Sequence, residues 1–172
     1  TVSLSRALSE SSSGIIAEFK RRSPSKGWIH RDADVERVVL DYQRGGASAS
    51  SILTDYTYFG GTVADLCKVR KSIDIPLLRK EFVIDEYQIY QAKAIGADAV
   101  LLIAAVLDMV RYLPSDKICI SESGISSPDT VRALRRVGFR GFLMGENFMK
   151  EVRPGAALSW FVKQLNSGED VG

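Results

Sequence analysis

Three short stretches of this chain carry residues able to move protons and hold anions. Ile16-Ala17-Glu18-Phe19-Lys20 leads a carboxylate and an amine out of an apolar run and into Arg21-Arg22-Ser23-Pro24-Ser25-Lys26-Gly27, a loop punctuated by Pro and Gly. Pro76-Leu77-Leu78-Arg79-Lys80-Glu81-Phe82 repeats that order, and so does Ile120-Ser121-Glu122-Ser123-Gly124-Ile125. Each time, reactive side chains stand where an apolar strand opens into a loop, the place at which a barrel of alternating strands and helices keeps its chemistry. Side chains alternate across a strand, so Leu78, Lys80 and Phe82 are expected on one face, and Glu18 and Lys20 on a common side. An amine at an apolar rim has its charged form disfavoured, which suits proton donation; the plainer alternative is a rim lysine paired with a neighbouring carboxylate. Glu18 and Lys20 read equally well as a simple ion bridge. Ser123-Gly124 and Gly145-Glu146 open two late loops. Barrels often hold phosphate there, because glycine lets an oxyanion approach backbone N–H groups at a helix start. Tight turns are the plainer use of the same glycines. A carboxylate is awkward beside phosphate, so Glu146 is expected to offer its N–H and turn its side chain away.

The elements that must position these groups alternate along the chain. Strands are expected over Gly14–Phe19, Ala47–Leu53, Ile75–Arg79, Ala99–Ile103, Lys117–Ile120 and Gly141–Met144. Val35, Val38, Val39 and Tyr42 recur at helical spacing, with Asp34 as N-cap and Gly45 at the end. Thr62-x-x-Asp65 resembles a capping box that opens a helix with Leu66 and Val69 inward. Asp85 caps a helix carrying Tyr87, Tyr90 and Ala94, closed by Gly96. Ser127-Pro128-Asp129 starts another, with Pro in its first turn. From Pro154 a closing helix turns Ala157, Leu158, Phe161, Val162 and Leu165 inward. Continuously apolar strands between helices imply an α/β fold with a parallel sheet covered on both faces.

A length of 172 residues suits one domain, and 45% apolar with 26% charged residues is the composition of a soluble globular protein. The net charge of +2 is too small to imply a nucleic-acid partner. Arg21, Arg22 and Lys26 form a small basic cluster, either a solvated loop or a local field that steers an anionic substrate. No apolar run reaches the ~18 residues of a membrane span, and the N-terminus shows no secretory apolar region. Cys67 and Cys119 lie far apart without metal-ligand spacing and read as reduced thiols of a cytosolic protein. His30 is the single histidine, which excludes multi-histidine metal sites; beside Trp28 and Ile29 it reads as a loop or packing residue rather than a catalytic base.

Taken together, these strand ends resemble the indole-3-glycerol phosphate synthase family of tryptophan biosynthesis. Ser51-Ile52-Leu53-Thr54-Asp55 with Tyr58-Phe59-Gly60-Gly61 is similar to the family's segment after strand two. Gly96 to Ile103 is similar to its strand four, and Leu143-Met144-Gly145-Glu146 to the end of its last strand. The resemblance runs from Gly14 to Lys150. It implies a (β/α)8 TIM barrel, a single domain over residues 1–172. The implied reaction closes an indole ring on 1-(o-carboxyphenylamino)-1-deoxyribulose 5-phosphate with loss of carbon dioxide and water, a carboxy-lyase reaction without metal or organic cofactor. It implies Lys80 as general acid, Lys20 on the substrate's carboxylate and in proton transfer, Glu18 orienting it, and Glu122 on the sugar hydroxyls. Phosphate is implied at Ser23, Lys20, Ser123, Gly124, Gly145 and Glu146. The ring's apolar walls are implied at Phe59, Phe82, Leu101, Ile103 and Leu143, although each by itself reads as core packing. Asp55 and Asp98 read as structural. The implied partner is a phosphorylated small molecule, with neither nucleic acid nor membrane. The implied setting is the cytoplasm, as a monomer or weak dimer, free or joined to other pathway enzymes.

One departure from the family stands out. The family carries two more βα units before the strand ending at Ser121-Glu122, and an N-terminal helical extension of which little precedes Gly14. At about 30 residues per unit, about 60 residues are missing near 107–111. Either the polypeptide is shortened, or this sequence is the ordered part of a longer chain. The second is favoured, since a six-stranded remnant exposes two strand edges. The family's general base, a glutamate on strand five, and an assisting asparagine on strand six have no counterpart. A chain that truly lacks them is expected to keep phosphate binding with much weaker catalysis. Two alternatives are a non-catalytic phosphate-binding barrel fragment and a barrel of the phosphoribosylanthranilate isomerase kind. The latter needs a strand-one cysteine, whereas Cys67 falls on a helix.

Overall fold

The computed structural model describes residues 2–101, 120–122, 125–136 and 138–167. The elements run α1 (Leu4–Glu10), β1 (Ile15–Phe19), a small ribbon of β2 (Arg22–Ser23) and β3 (Gly27–Trp28), α2 (Val35–Arg44), β4 (Ala49–Leu53), α3 (Tyr56–Phe59), α4 (Val63–Arg70), β5 (Leu77–Lys80), α5 (Tyr87–Ala94), β6 (Ala99–Val100), β7 (Ile120–Glu122), α6 (Pro128–Arg136), β8 (Gly141–Met144), α7 (Glu146–Met149) and α8 (Pro154–Ser167). Six strands form one sheet in the order β6-β5-β4-β1-β8-β7, and every neighbouring pair is parallel. This is the α/β architecture expected, a six-stranded part of a (β/α)8 barrel.

The sheet is curled. Across a flat sheet, β5 and β7 would lie four strand spacings apart, roughly 19 Å. Lys80 on β5 nevertheless forms an ion pair with Glu122 on β7, so the strands bend round a common interior. Alternation then sorts the side chains. Ile16, Ala49, Leu78 and Leu143 point inward and meet Leu8 of α1. Ile15, Ala17, Phe19, Ile52, Leu77, Phe142 and Met144 point outward and pack under the helices, against Val38, Val39 and Tyr42 of α2, Leu66 and Val69 of α4, and Leu158, Phe161 and Leu165 of α8. Each of the Val, Leu, Ile, Phe and Met side chains among them contributes about 1.5–3 kcal/mol by leaving water. Because both faces are covered, all five residues of β1 are buried, which explains a continuous apolar run rather than an alternating one.

The starts of α2 and α4 follow the expected chemistry, whereas at α5 the N-cap place belongs to Glu86, without a side-chain bond, and not to Asp85. The Asp34 carboxylate accepts the Arg37 N–H at 3.1 Å. Thr62 and Asp65 form a reciprocal capping box. Three further features differ from expectation. Helix α1 precedes the first strand, capped by Ser3, and its Leu8 is buried against the inner face of the sheet. In α5, Ala92 is the buried residue, while Tyr87 and Tyr90 are 68% and 71% exposed. Strand β5 ends at Lys80, so the alternation expected to carry Phe82 onto the face of Leu78 and Lys80 stops before reaching it. The expected strand residues 101–103 and 117–119 fall, apart from Leu101, outside the described residues, as does the stretch 107–111.

Arg21 belongs to neither reading of the basic cluster. Its guanidinium donates to both carboxylate oxygens of Asp65 at 2.8 and 2.9 Å and to the carbonyls of Gly60 and Ala33. It also lies 4.9 Å over the Phe19 ring. The pair straps the loop after β1 to the first turn of α4. Burial pushes the Asp65 carboxyl up, but the bonds from Arg21 and Thr62 outweigh it and hold the group below its ordinary value of 3.8. Its stabilising contribution is therefore complete above that value and is lost as pH falls through the lowered one. Replacing Asp65→Asn is expected to cost about 3 kcal/mol in urea unfolding at neutral pH, because it strands a largely buried guanidinium. The difference from the parent chain should shrink in acid, where the parent's own Asp65 becomes protonated.

Candidate active site

The inward-facing ends of the strands enclose a cavity of about 340 Å³, lined by Glu18, Lys20, Lys80, Glu122, Leu143, Gly145 and Glu146, with Ile125, Ser126, Met144 and Asn147. Glu18 is the penultimate residue of the central strand β1 and is 1% exposed. An ionised carboxylate so deeply buried requires compensation. Both oxygens receive it: Lys20 Nζ lies 2.7 Å from Oε1 and Lys80 Nζ 2.8 Å from Oε2. Lys80 also pairs with Glu122, the last residue of β7. The result is a continuous row, Lys20–Glu18–Lys80–Glu122, assembled from the ends of three strands.

Burial pushes the Lys80 ammonium toward losing its proton, as expected for an amine at an apolar rim. The charges of Glu18 and Glu122 and their hydrogen bonds outweigh it, so Lys80 sits above the usual lysine value of 10.5. The expectation of a disfavoured charged form thus gives way to a firmly held ammonium: the rim lysine and the ion-paired lysine are the same residue. Beneath it, the Tyr42 hydroxyl donates to the Glu18 carbonyl at 3.4 Å. Burial first, and the Glu18 charge second, push its ionisation far up, leaving a neutral donor.

Gly145 follows β8 and is fixed by close approach. A Cβ at this position would lie 2.6 Å from the Glu18 Cβ and 2.7 Å from its Oε1. Glu146 opens α7, and its carboxylate pairs with Lys26 from the ribbon beside β1. Lys26 is the main reason the Glu146 carboxyl lies below its usual value. Asn147 donates from Nδ2 to the Ile125 carbonyl at 2.9 Å, tying α7 to the segment after β7. Sequence reasoning missed Asn147 and Ser126. The only signal for Asn147 was its place directly after Gly145-Glu146.

Of the residues singled out in the sequence, the cavity brings together Glu18, Lys20, Lys80, Glu122, Leu143, Gly145 and Glu146. Ser23 lies apart from its lining, buried in the ribbon with its hydroxyl 3.5 Å from that of Ser25. Leu101 packs on the inner cluster of Ile16, Leu78 and Leu143. Phe59 and Phe82 pair with each other, ring centres 6.2 Å apart, rather than lining the cavity, and Tyr58 joins them at 6.0 Å. Ile103, Ser123 and Gly124 lie outside the described residues. Asp55 caps α3 through the Tyr58 N–H, and Asp98 accepts from Arg70 and the Leu77 N–H. Among the described residues no three His, Cys, Asp or Glu side chains are grouped to hold a metal ion, and no helix is long and apolar enough to cross a membrane.

If two carboxylates hold Lys80 as an ammonium, removing one must lower its value. Labelling of Lys80 by an amine-selective acylating reagent, followed by peptide mass spectrometry across pH, reports its free-base fraction. The parent chain is expected to show a midpoint above 10.5, and Glu122→Gln a midpoint shifted toward lower pH. An unmoved midpoint means that Glu122 does not act on Lys80.

The sequence model described as indole-3-glycerol phosphate synthase matches residues 1–113 and 107–160. A protein of Bacteroides thetaiotaomicron named indole-3-glycerol phosphate synthase is 44% identical over 220 aligned positions, covering 95% of this chain and 85% of that protein. Proteins of the same name from Laribacter hongkongensis and Caldanaerobacter subterraneus are 34% and 32% identical, covering 91% and 94% of this chain and 82% and 85% of their own lengths. The first alignment has more positions, 220, than the chain has residues, 172. It therefore steps across sequence of the relative that has no counterpart here, and the chain is partial with respect to its relatives. With both stretches matched and the relatives covered over most of their length, the chain belongs to the indole-3-glycerol phosphate synthase family.

Proposed function

We propose that the cavity takes 1-(o-carboxyphenylamino)-1-deoxyribulose 5-phosphate and that Lys80 is the acid that drives closure of the indole ring. The observation that carries this reading is the single ammonium held at the strand ends between Glu18 and Glu122, in a cavity whose far side is the Gly145-Glu146 turn. The aromatic carbon bearing the carboxylate attacks the ketone carbon. As that bond forms, the ketone oxygen takes a proton from Lys80. The bond to the carboxylate then breaks, its electrons restoring the aromatic ring as carbon dioxide leaves. The new hydroxyl takes a second proton and departs as water while the carbon beside the nitrogen gives one up, which forms the C=C bond of the new ring. Solvent returns the proton that Lys80 spent. Lys20 meets the substrate's carboxylate until it is lost, and Glu18 holds Lys20 in place from beneath. The N–H groups at Gly145 and Glu146 receive the phosphate. Anchoring both ends of a flexible substrate keeps it folded for attack, which removes much of the entropic barrier.

A raised value makes Lys80 a reluctant acid in the free protein, and the same geometry offers the remedy. When Glu122 turns to the sugar hydroxyls, Lys80 loses one of its two countercharges. Burial then acts against the remaining one, and the ammonium becomes a stronger acid at the moment of reaction.

Removing the acid in Lys80→Met is expected to lower formation of the indole product at least about 100-fold while leaving binding of inorganic phosphate intact. Retained turnover would overturn the role of Lys80. The stretch near 107–111, where we place the loss of two βα units, also takes away the family's glutamate base. A polypeptide verified by intact mass at 18.9 kDa should therefore turn over far more slowly than the Bacteroides relative while still binding phosphate. Equal turnover would show that this base is dispensable.

A further inference from the structure

The described lining of the cavity has the wrong sign for its proposed ligand. Glu18, Glu122 and Glu146 face Lys20 and Lys80, and both amines are already committed to Glu18. A substrate bearing a carboxylate and a phosphate brings further negative charge, the phosphate alone close to two units at neutral pH. One more cation is needed at the phosphate end, or the Glu146 carboxylate must leave. Lys26 is the cation in contact with that carboxylate. It stands at the tip of the β2–β3 ribbon, at the last position of a turn in which its N–H donates to the Ser23 carbonyl at 3.3 Å. Pro24, at the second position, suits that turn. The ribbon extends from β1, and β1 pairs directly with β8, so the turn overhangs the Gly145-Glu146 end of the cavity. The pair is half open to water, with side chains 57% and 39% exposed, so it can separate without stranding a buried charge.

We propose that Lys26 is a substrate-binding residue that brings the phosphate its countercharge, and that Glu146 holds it in waiting until the phosphate arrives. A near-dianion seated on the Gly145 and Glu146 amides attracts the ammonium more strongly than a single carboxylate does. Lys26 transfers to the phosphate, and the freed Glu146 side chain turns to solvent. The inference rests on the phosphate seat proposed above and adds a residue from a different loop.

Titration of the intact chain with inorganic phosphate, followed by calorimetry, separates the possibilities. Lys26→Met is expected to weaken phosphate binding about tenfold, the scale of one charge-assisted hydrogen bond. Glu146→Gln, which removes the competing carboxylate, should tighten it severalfold. Both residues are surface-exposed enough that neither change disturbs the core. Equal affinity in Lys26→Met and the parent chain overturns the role of Lys26 while leaving the seat standing. Unchanged or weaker binding in Glu146→Gln overturns the hand-over. If the parent chain binds no phosphate at all, the seat itself is wrong and the inference falls with it.

Discussion

A buried carboxylate governs this molecule. Glu18 lies at the end of the central strand, almost wholly removed from water, and an unpaired charge there would be untenable. Its two oxygens are satisfied by ammonium groups from two directions, one from Lys20 just past the end of its own strand and one from β5. That requirement fixes more than a local contact. β5 must lie close enough for Lys80 to reach, and the parallel register that aligns Leu53 with Lys80 and Phe19 with Ile52 puts it there. The sheet must also curl for Glu122 to approach the same ammonium from β7.

The same constraint shapes the chemistry. Before any ligand arrives, the reactive groups are already paired with each other, so a substrate enters a balanced network and must exchange one set of partners for another. Water would make such pairs weak and interchangeable. In a cavity walled by Leu143, which belongs to the apolar cluster inside the sheet, each exchange carries a larger electrostatic consequence, because the local dielectric is lower than in water. The heavy-atom bonds made and broken in the proposed reaction all belong to the substrate, so what the protein has to supply is position, charge and protons.

Much of this was readable in advance. Strand alternation put Glu18, Lys20 and Lys80 inside, and capping residues such as Asp34, Thr62 and Asp65 announced their helices. What escaped reading depended on contacts that no local pattern encodes. Lys80 with Glu122, and Lys26 with Glu146, are pairs set by the curl of the sheet and by the adjacency of β1 and β8. Phe82 was misplaced because periodicity does not announce where a strand stops. Arg21, Arg22 and Lys26 looked alike in sequence, yet the first bridges Asp65 and the second lies 5.8 Å over Trp28 while bonding the Thr57 carbonyl. Helix α1 was overlooked because its single buried side chain, Leu8, gives almost no periodic signal.

The fit of Gly145 against Glu18 bears on how relatives of this chain should be compared. Any side chain at that position would press on the carboxylate, so the residue is demanded by packing whether or not an anion ever rests on its amide. A descendant that had abandoned the reaction but kept its barrel would still be held to glycine there by selection for folding alone. The presence of that glycine in a distant homologue is accordingly a mark of shared architecture, and inheritance of the activity has to be traced through residues the fold could afford to lose.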